Sequence, residues 1–120
     1  MPKKTLVLGA SNKPGRFSML ALKSLVKHNF EVVAIGARSA ELDGIPIINY
    51  PIYPNDIHTV TLYLNPFRQK QYFDYIIEIK PKRIIFNPGT ENPELLKIAK
   101  ENGIEVVFGC TLVMLNNGEY

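Results

Sequence analysis

Lys13 and Arg16 stand in a run of small and polar residues, Gly9-Ala10-Ser11-Asn12-Lys13-Pro14-Gly15-Arg16-Phe17-Ser18, directly behind the apolar Leu6-Val7-Leu8. The two cations, the flexible glycines and the polar side chains of Ser11, Asn12 and Ser18 suit one chemistry above others, the holding of an anion. Arg38 stands behind a second apolar run, Val32-Val33-Ala34-Ile35, with Gly36-Ala37 between. Its guanidinium can grip a phosphate through two parallel hydrogen bonds. Candidates for bond-making chemistry are weaker. His28 is expected on the inner side of a helix and His58 at the start of a strand, neither with an evident carboxylate partner. Cys110 follows a strand end and can face a crevice, but a lone cysteine more often packs than attacks. Asp56, Asp74 and the glutamates show no paired spacing for acid–base work or metal binding. No catalytic residue and no metal ligand is assigned; a binding site is expected.

The elements that must position these groups follow from period and punctuation. Leu6-Val7-Leu8 reads as a buried strand that turns sharply through residues 9–16 into a helix. Positions Phe17, Leu20, Ala21, Ser24, Leu25 and His28 carry the spacing of a helix with that face inside. The first N–H groups of such a helix lack partners and its dipole adds partial positive charge, so the junction is suited to an anion. Residues 31–36 read as a second strand, apolar enough to be covered on both faces as in a parallel sheet. Pro46, Pro51 and Pro54 confine the patch Ile45-Pro46-Ile47-Ile48 to a short edge strand at most.

Residues 58–64 read as a third main strand. Asn65-Pro66 then fits a helix cap followed by proline at the first helical position. That helix is expected to reach about Lys80 and to bury Phe73, Ile76, Ile77 and the stem of Lys80. Beyond Pro81, Arg83-Ile84-Ile85-Phe86 is a strand and Asn87-Pro88-Gly89 a turn. Asn92-Pro93 opens another helix, ending at Asn102-Gly103 with glycine where a left-handed cap belongs. Glu105-Val106-Val107-Phe108 is a last clear strand, and residues 109–115 a further turn and short strand before a polar tail. Strand and helix alternate, so residues 1–120 are expected to form a single three-layer α/β/α domain. Its sheet should be mostly parallel, with about five main strands.

Composition bounds the function. With 120 residues, 46% hydrophobic and 21% charged, the chain has the make-up of one soluble globular domain. Fourteen Lys+Arg against eleven Asp+Glu give a net charge of +3, with no block of like charge. Nucleic acid is therefore not expected as a partner, while a small anion is. One cysteine rules out an internal disulfide and is compatible with a reducing cytoplasm. Met1-Pro2-Lys3-Lys4 runs into a strand without the apolar core of a signal peptide. No apolar run approaches the ~20 residues of a membrane helix. A cytoplasmic protein without a membrane partner is expected; a homo-oligomer or an enzyme partner is left open.

In an open parallel sheet, ligands sit beyond the carboxyl ends of the strands where the strand order reverses. The candidate cofactor-binding residues are drawn from those ends: Gly9, Ala10, Ser11, Asn12, Lys13, Gly15, Arg16, Ser18, Gly36, Arg38, Asn65, Pro66, Asn87 and Gly89. The first loop is not a dinucleotide fingerprint, since Ser11 stands where G-x-G-x-x-G needs its second glycine. Nor is it a P-loop, because no Gly-Lys-Ser/Thr follows. After the second strand there is no acid until Glu41, so the usual grip on both ribose hydroxyls of NAD is missing. Arg38 instead favours a nucleotide phosphorylated on its ribose, either NADP or coenzyme A. A dehydrogenase would also need a substrate domain, and none is expected within these residues.

The chain resembles the small stand-alone coenzyme-A-binding proteins, Rossmann-like domains similar to the coenzyme-A-binding domain of succinyl-CoA synthetase. Val7-Leu8-Gly9-Ala10-Ser11 with Lys13-Pro14-Gly15-Arg16 matches that family's opening. Leu42-Asp43-Gly44, Phe86-Asn87-Pro88-Gly89 and Val106-Val107-Phe108-Gly109-Cys110 match later segments. Gly36-Ala37 replaces the family's usual Asn-Pro, and Asn87-Pro88 replaces a Gln-centred pair. The resemblance implies binding of coenzyme A or an acyl derivative; since no catalytic residue is assigned, no catalysis of its own is expected. The pyrophosphate would sit on residues 11–18 and the ribose phosphate near Gly36 and Arg38. The pantetheine arm would pass residues 64–66 and 87–89. An NADP-binding accessory protein of an oxidoreductase and a ligand-free regulatory module are the alternatives.

Overall fold

In the computed structural model, which describes residues 3–120, the four β-formers of β1 (Thr5–Leu8) make a central, wholly buried strand. α1 (Phe17–Lys27) follows, then β2 (Val32–Ile35), β3 (Ala40–Leu42) and β4 (Ile45–Ile48). After β4 the chain returns past β1 to lay down β5 (Thr59–Leu62). Next come α2 (Pro66–Gln69), a 3₁₀ turn at Lys70–Tyr72 and α3 (Phe73–Ile79). The chain ends with β6 (Arg83–Phe86), α4 (Pro93–Glu101), β7 (Glu105–Phe108) and α5 (Thr111–Asn116). The described residues give a seven-stranded sheet of order β3-β4-β2-β1-β5-β6-β7, parallel except for the β3–β4 pair.

Alternate residues of each strand face opposite sides, and both sides are covered. Leu6, Leu8, Val60, Leu62, Ile84 and Phe86 pack with Tyr75 and Ile76 of α3 and Leu95 and Ala99 of α4. Val7, Ala34 and Ile85 pack with Leu22 and Leu25 of α1 and Leu115 of α5. This is the three-layer, doubly wound, Rossmann-like arrangement expected. Because strand order reverses about β1, a crevice opens beyond the carboxyl ends of β1 and β5.

Several local expectations need correction. Ile45–Ile48 is not the edge: β3 lies outside it, joined by an Asp43-Gly44 turn with φ of 50° and 84°. That is the two-residue hairpin favoured by a right-handed twist. α1 is rotated from its expected face. Ser18, Met19, Ala21, Leu22 and Leu25 are buried, whereas Phe17 is 70% exposed and Leu20 40%. His28 is exposed at the end of α1, with Nδ1 donating to the Ser24 carbonyl at 2.8 Å.

The helix expected over residues 65–80 is interrupted by the 3₁₀ turn, although residues 67–79 contain no proline or glycine to signal it. Residues 111–116 are helical rather than a strand, because Thr111 and Leu115 are buried one turn apart. The tail is anchored, not free. Tyr120 is buried, and its main-chain oxygen accepts from Arg83 at 2.8 Å while its ring lies 4.5 Å from the Arg83 guanidinium carbon. His58 lies at the amino ends of the strands, where burial and then the charge of Arg83 hold its pKa below the ordinary value.

Candidate functional site

The loop between β1 and α1 is fixed before any ligand is considered. The N–H groups of Gly9 and Ala10 both donate to the Ile35 carbonyl, at 2.8 and 2.9 Å. Gly9 has φ of +97°, and a Cβ there would come within 2.9 Å of the Tyr63 main chain. Its lack of a side chain therefore lets β1 meet the end of β5. Gly36 is tighter still, since a Cβ would overlap the Ala10 carbonyl oxygen. Ser11 Oγ accepts from the Lys13 N–H at 3.1 Å, and Asn12 donates to the Glu41 carbonyl at 3.3 Å, tying the loop to β3.

Past this anchored base the polar groups are open. Arg16 occupies the cap position of α1 and supplies no side-chain cap, and the first turn holds no acid. The N–H groups of Phe17, Ser18 and Met19 have no hydrogen-bond partner among the described residues. The other cleft-edge helices are built differently. Asn65 Oδ1 accepts from Arg68 N–H at 2.9 Å, and Asn92 Oδ1 accepts from Glu94 N–H at 3.1 Å. The α1 start alone combines open N–H groups with neighbouring cations, the arrangement that receives an anion.

The crevice has two contiguous halves. The first, of about 380 Å³, lies among the β1–α1 loop, Ala37-Arg38 and the end of β5. Lys13, Arg16, Arg38 and Arg68 line it, and no carboxylate does. None of the four enters the ion pairs among the described residues, which join Lys4 to Glu31, Lys23 to Asp43 and Lys70 to Glu94. The second half, of about 310 Å³, shares Gly9, Ser11, Arg16, Tyr63 and Leu64 and continues to Asn65, Pro88, Gly89 and Thr90. Each half falls within the usual size of a small-ligand site.

Of the residues expected at the site, Gly9, Ala10, Ser11, Asn12, Lys13, Arg16 and Arg38 line the first half. Gly15, Ser18, Asn65 and Gly89 line the second. Gly36, Pro66 and Asn87 line neither. Gly36 is packed under the loop, Pro66 starts α2, and Asn87 is buried with its side chain fully engaged. Asn87 Nδ2 donates to Thr61 Oγ1 at 2.7 Å and the Leu62 carbonyl at 2.8 Å, while Oδ1 accepts from Thr111 N–H at 2.9 Å.

Arg68 is a cleft residue that sequence reasoning passed over. Arg68 follows the recognised Asn65-Pro66 start by two positions, a spacing that brings it round the first turn toward the cleft. Gln69, also missed, is buried and donates Nε2 to the carbonyls of Leu64 at 2.8 Å and Thr90 at 2.7 Å, so it pins the ends of β5 and β6 together. Cys110 is partly exposed and lines neither half. No group of three or more potential metal ligands occurs among the described residues, and no described helix is long and apolar enough to cross a membrane.

The Tyr63 hydroxyl is buried without a hydrogen-bond partner among the described residues. Burial pushes its pKa up to about 12, against the opposing pull of the nearby Thr111 and Thr61 hydroxyls. Burial likewise raises Tyr75 to about 12. An unfolded tyrosine releases its proton near pH ~10, so in the interval above that the unfolded chain deprotonates first. The stability contributed by these phenols is complete below pH ~10 and falls as the pH rises toward about 12. Denaturant titrations between pH 8 and 12 should show this fall, and Tyr63→Phe should make it shallower; a slope unaffected by that change would remove Tyr63 as a contributor.

Residues 3–116 match the family model for the CoA binding domain. The chain belongs to the CoA binding domain family. This CoA-binding-domain chain is also similar to solved structures. One, an uncharacterized protein, is 48% identical with a TM-score of 0.96, the match covering 100% of this chain and 99% of the other. A hypothetical protein from Pyrococcus horikoshii OT3 is 27% identical with a TM-score of 0.87, covering 97% of this chain and 83% of its own. A dinucleotide-forming acetyl-coenzyme A synthetase from Ca. Korarchaeum cryptofilum, solved with phosphate and ADP, shares the fold at 19% identity and a TM-score of 0.73. That match covers 90% of this chain and 26% of the synthetase. No curated protein is significantly similar in sequence.

Proposed function

We propose that this protein binds coenzyme A, free or acylated, in the crevice at the carboxyl ends of β1 and β5. The observation that carries the reading is the cationic half of that crevice, where Lys13, Arg16, Arg38 and Arg68 converge with no carboxylate among them. Membership of the CoA binding domain family supports the same ligand at a coarse level. Gathering exposed, unpaired like charges around one cleft is unfavourable unless a polyanion joins them. Coenzyme A brings a pyrophosphate and a ribose phosphate, which together match that need.

In this reading the pyrophosphate lies against the open N–H groups of α1, with Arg16 and Lys13 beside it. Arg38 and Arg68 approach the same half from opposite sides of the crevice, and the ribose phosphate falls to Arg38. The pantetheine arm then follows the second half past Asn65 and Gly89, where Arg16 is the one charged residue. The change from a cationic to a neutral lining matches the change from phosphate to amide along the ligand. The protein acts here as a binding module, its side chains orienting the nucleotide and leaving the thiol end at the open end of the crevice.

Isothermal titration with coenzyme A and with NADP at fixed ionic strength tests this. Saturable micromolar binding of coenzyme A is expected, with NADP much weaker. Binding should also weaken as salt is raised, because the contacts are exposed charges. Preference for NADP, or no binding of coenzyme A, would retire the proposal.

A further inference from the structure

We infer, on the reading that coenzyme A occupies the crevice, that Gln69 is a positioning residue for the pantetheine arm. It touches no ligand and sets how well the second half of the crevice fits. Gln69 is 0% exposed and lines neither half. Its Nε2 donates to the Leu64 carbonyl at 2.8 Å and to the Thr90 carbonyl at 2.7 Å. Leu64 and Thr90 are walls of the second half, one following β5 and the other β6. Gln69 Oε1 accepts from Asn92 Nδ2 at 3.0 Å. Both amide hydrogens and the amide oxygen are therefore engaged. The Asn92 donor fixes the orientation, because a reversed amide would set Oε1 against two carbonyls and Nε2 against another amine.

The second half depends on this placement because its walls offer a ligand few free groups. The Asn65 carbonyl accepts from the Gln69 N–H at 3.1 Å, and Asn65 Oδ1 accepts from the Arg68 N–H at 2.9 Å. The Gly89 N–H donates to Glu91 at 2.9 Å, and the Thr90 N–H and hydroxyl both donate to the Asn87 carbonyl. With the carbonyls of Leu64 and Thr90 held by Gln69, this rim is largely self-satisfied. An arm laid along it is recognised by the shape of the slot, so its affinity follows how firmly the walls are held in advance. The first half is not tied to the same amide. Arg68 keeps its place through the Asn65 cap, and Lys13, Arg16 and Arg38 lie on other segments. A change at Gln69 should therefore act on the arm and spare the phosphates.

The test is calorimetric titration of the intact protein with two ligands. One is coenzyme A; the other is adenosine bisphosphate, phosphorylated at the two ribose positions that coenzyme A uses and lacking the arm. Gln69→Met removes both donors with little change in volume. Asn92→Asp keeps an acceptor for the start of α4 but loses the donor that orients Gln69. The Gln69 amide then turns Nε2 toward the new carboxylate and releases Leu64 and Thr90. Coenzyme A is expected to bind roughly tenfold more weakly to each variant, with adenosine bisphosphate within about twofold of the parent. Titrations held well below the melting temperature of each variant keep lost stability out of this ratio. Where Gln69→Met fails to fold, Asn92→Asp decides. A ratio unchanged from the parent, whether both affinities hold or both fall equally, overturns the inference and leaves coenzyme A binding in place. A parent that binds coenzyme A but not adenosine bisphosphate likewise overturns it, since the halves then do not act separately. A parent that does not bind coenzyme A retires the crevice reading itself, and the role of Gln69 with it.

Discussion

Replacing Arg16 with alanine should weaken coenzyme A binding by about 1–3 kcal/mol, roughly 5- to 150-fold in dissociation constant. Arg16 is the one cation that lines both halves of the crevice. It sits at the cap of α1, beside three N–H groups without partners, so its charge adds to the dipole at the proposed pyrophosphate position. It forms no ion pair among the described residues, so removing it leaves no carboxylate stranded and should cost little stability. The loss should therefore appear in affinity and not in the melting temperature.

Arg38→Ala offers a finer comparison. If Arg38 reads the ribose phosphate, the variant should lose affinity for coenzyme A but little for dephospho-coenzyme A, and the four measurements close a double-mutant cycle. Lys97→Ala is the control. Lys97 is exposed on α4 and lines neither half, so the same change in net charge is made away from the site. Equal affinities for Arg16→Ala and Lys97→Ala would exclude the proposed contact.

What the sequence disclosed and what it withheld divide along physical lines. β1, β6 and β7 were legible because runs of β-formers bounded by glycine or proline have one plausible reading. The caps at Asn65 and Asn92 were legible because Asn-Pro serves the helix start in two ways at once. The exposed face of α1 was misread because its apolar residues outnumber its inner positions. Seven apolar residues, Phe17, Met19, Leu20, Ala21, Leu22, Leu25 and Val26, spread over two faces, and the pattern cannot say which face meets the sheet. α5 was misread because Thr111-Leu112-Val113 favours strand locally, while Asn87 and Thr61 capture Thr111 from distant parts of the chain. At the site, the anion-binding loop was readable from local spacing. Arg68 was not, because its place in the crevice depends on β5 lying next to β1. Gly36 was assigned to the ligand for its position after a strand, yet its missing side chain makes room for the Ala10 carbonyl. A strand-end glycine next to a loop has both uses, and local sequence does not separate them.

Asn87 gives the sharpest form of that distinction, because its position after β6 points to a ligand contact and its surroundings point to a clamp. It is 3% exposed, and its single amide joins three segments: β5 through Thr61 and Leu62, β6 through its own chain, and the start of α5 through Thr111. Its main-chain oxygen also accepts from the Thr90 N–H and hydroxyl, at 3.0 and 2.7 Å, shaping the turn at the crevice rim. Asn87→Ala would leave the Leu62 carbonyl and the Thr111 N–H without partners in a site too enclosed for free hydration. At about 1–3 kcal/mol for each buried group so stranded, a loss of about 3 kcal/mol or more is expected. For a domain of this size that lowers the melting temperature by roughly 10 °C. Asn87→Asp keeps an acceptor for Thr111 but sets a carboxylate oxygen against the Leu62 carbonyl, so it should be costly at neutral pH. Its cost should ease on acidification, since the protonated acid can again donate to Leu62 and the charge that opposes folding is gone. A melting temperature unmoved in Asn87→Ala, together with a large loss of coenzyme A affinity, would reverse the assignment and make Asn87 a ligand contact after all.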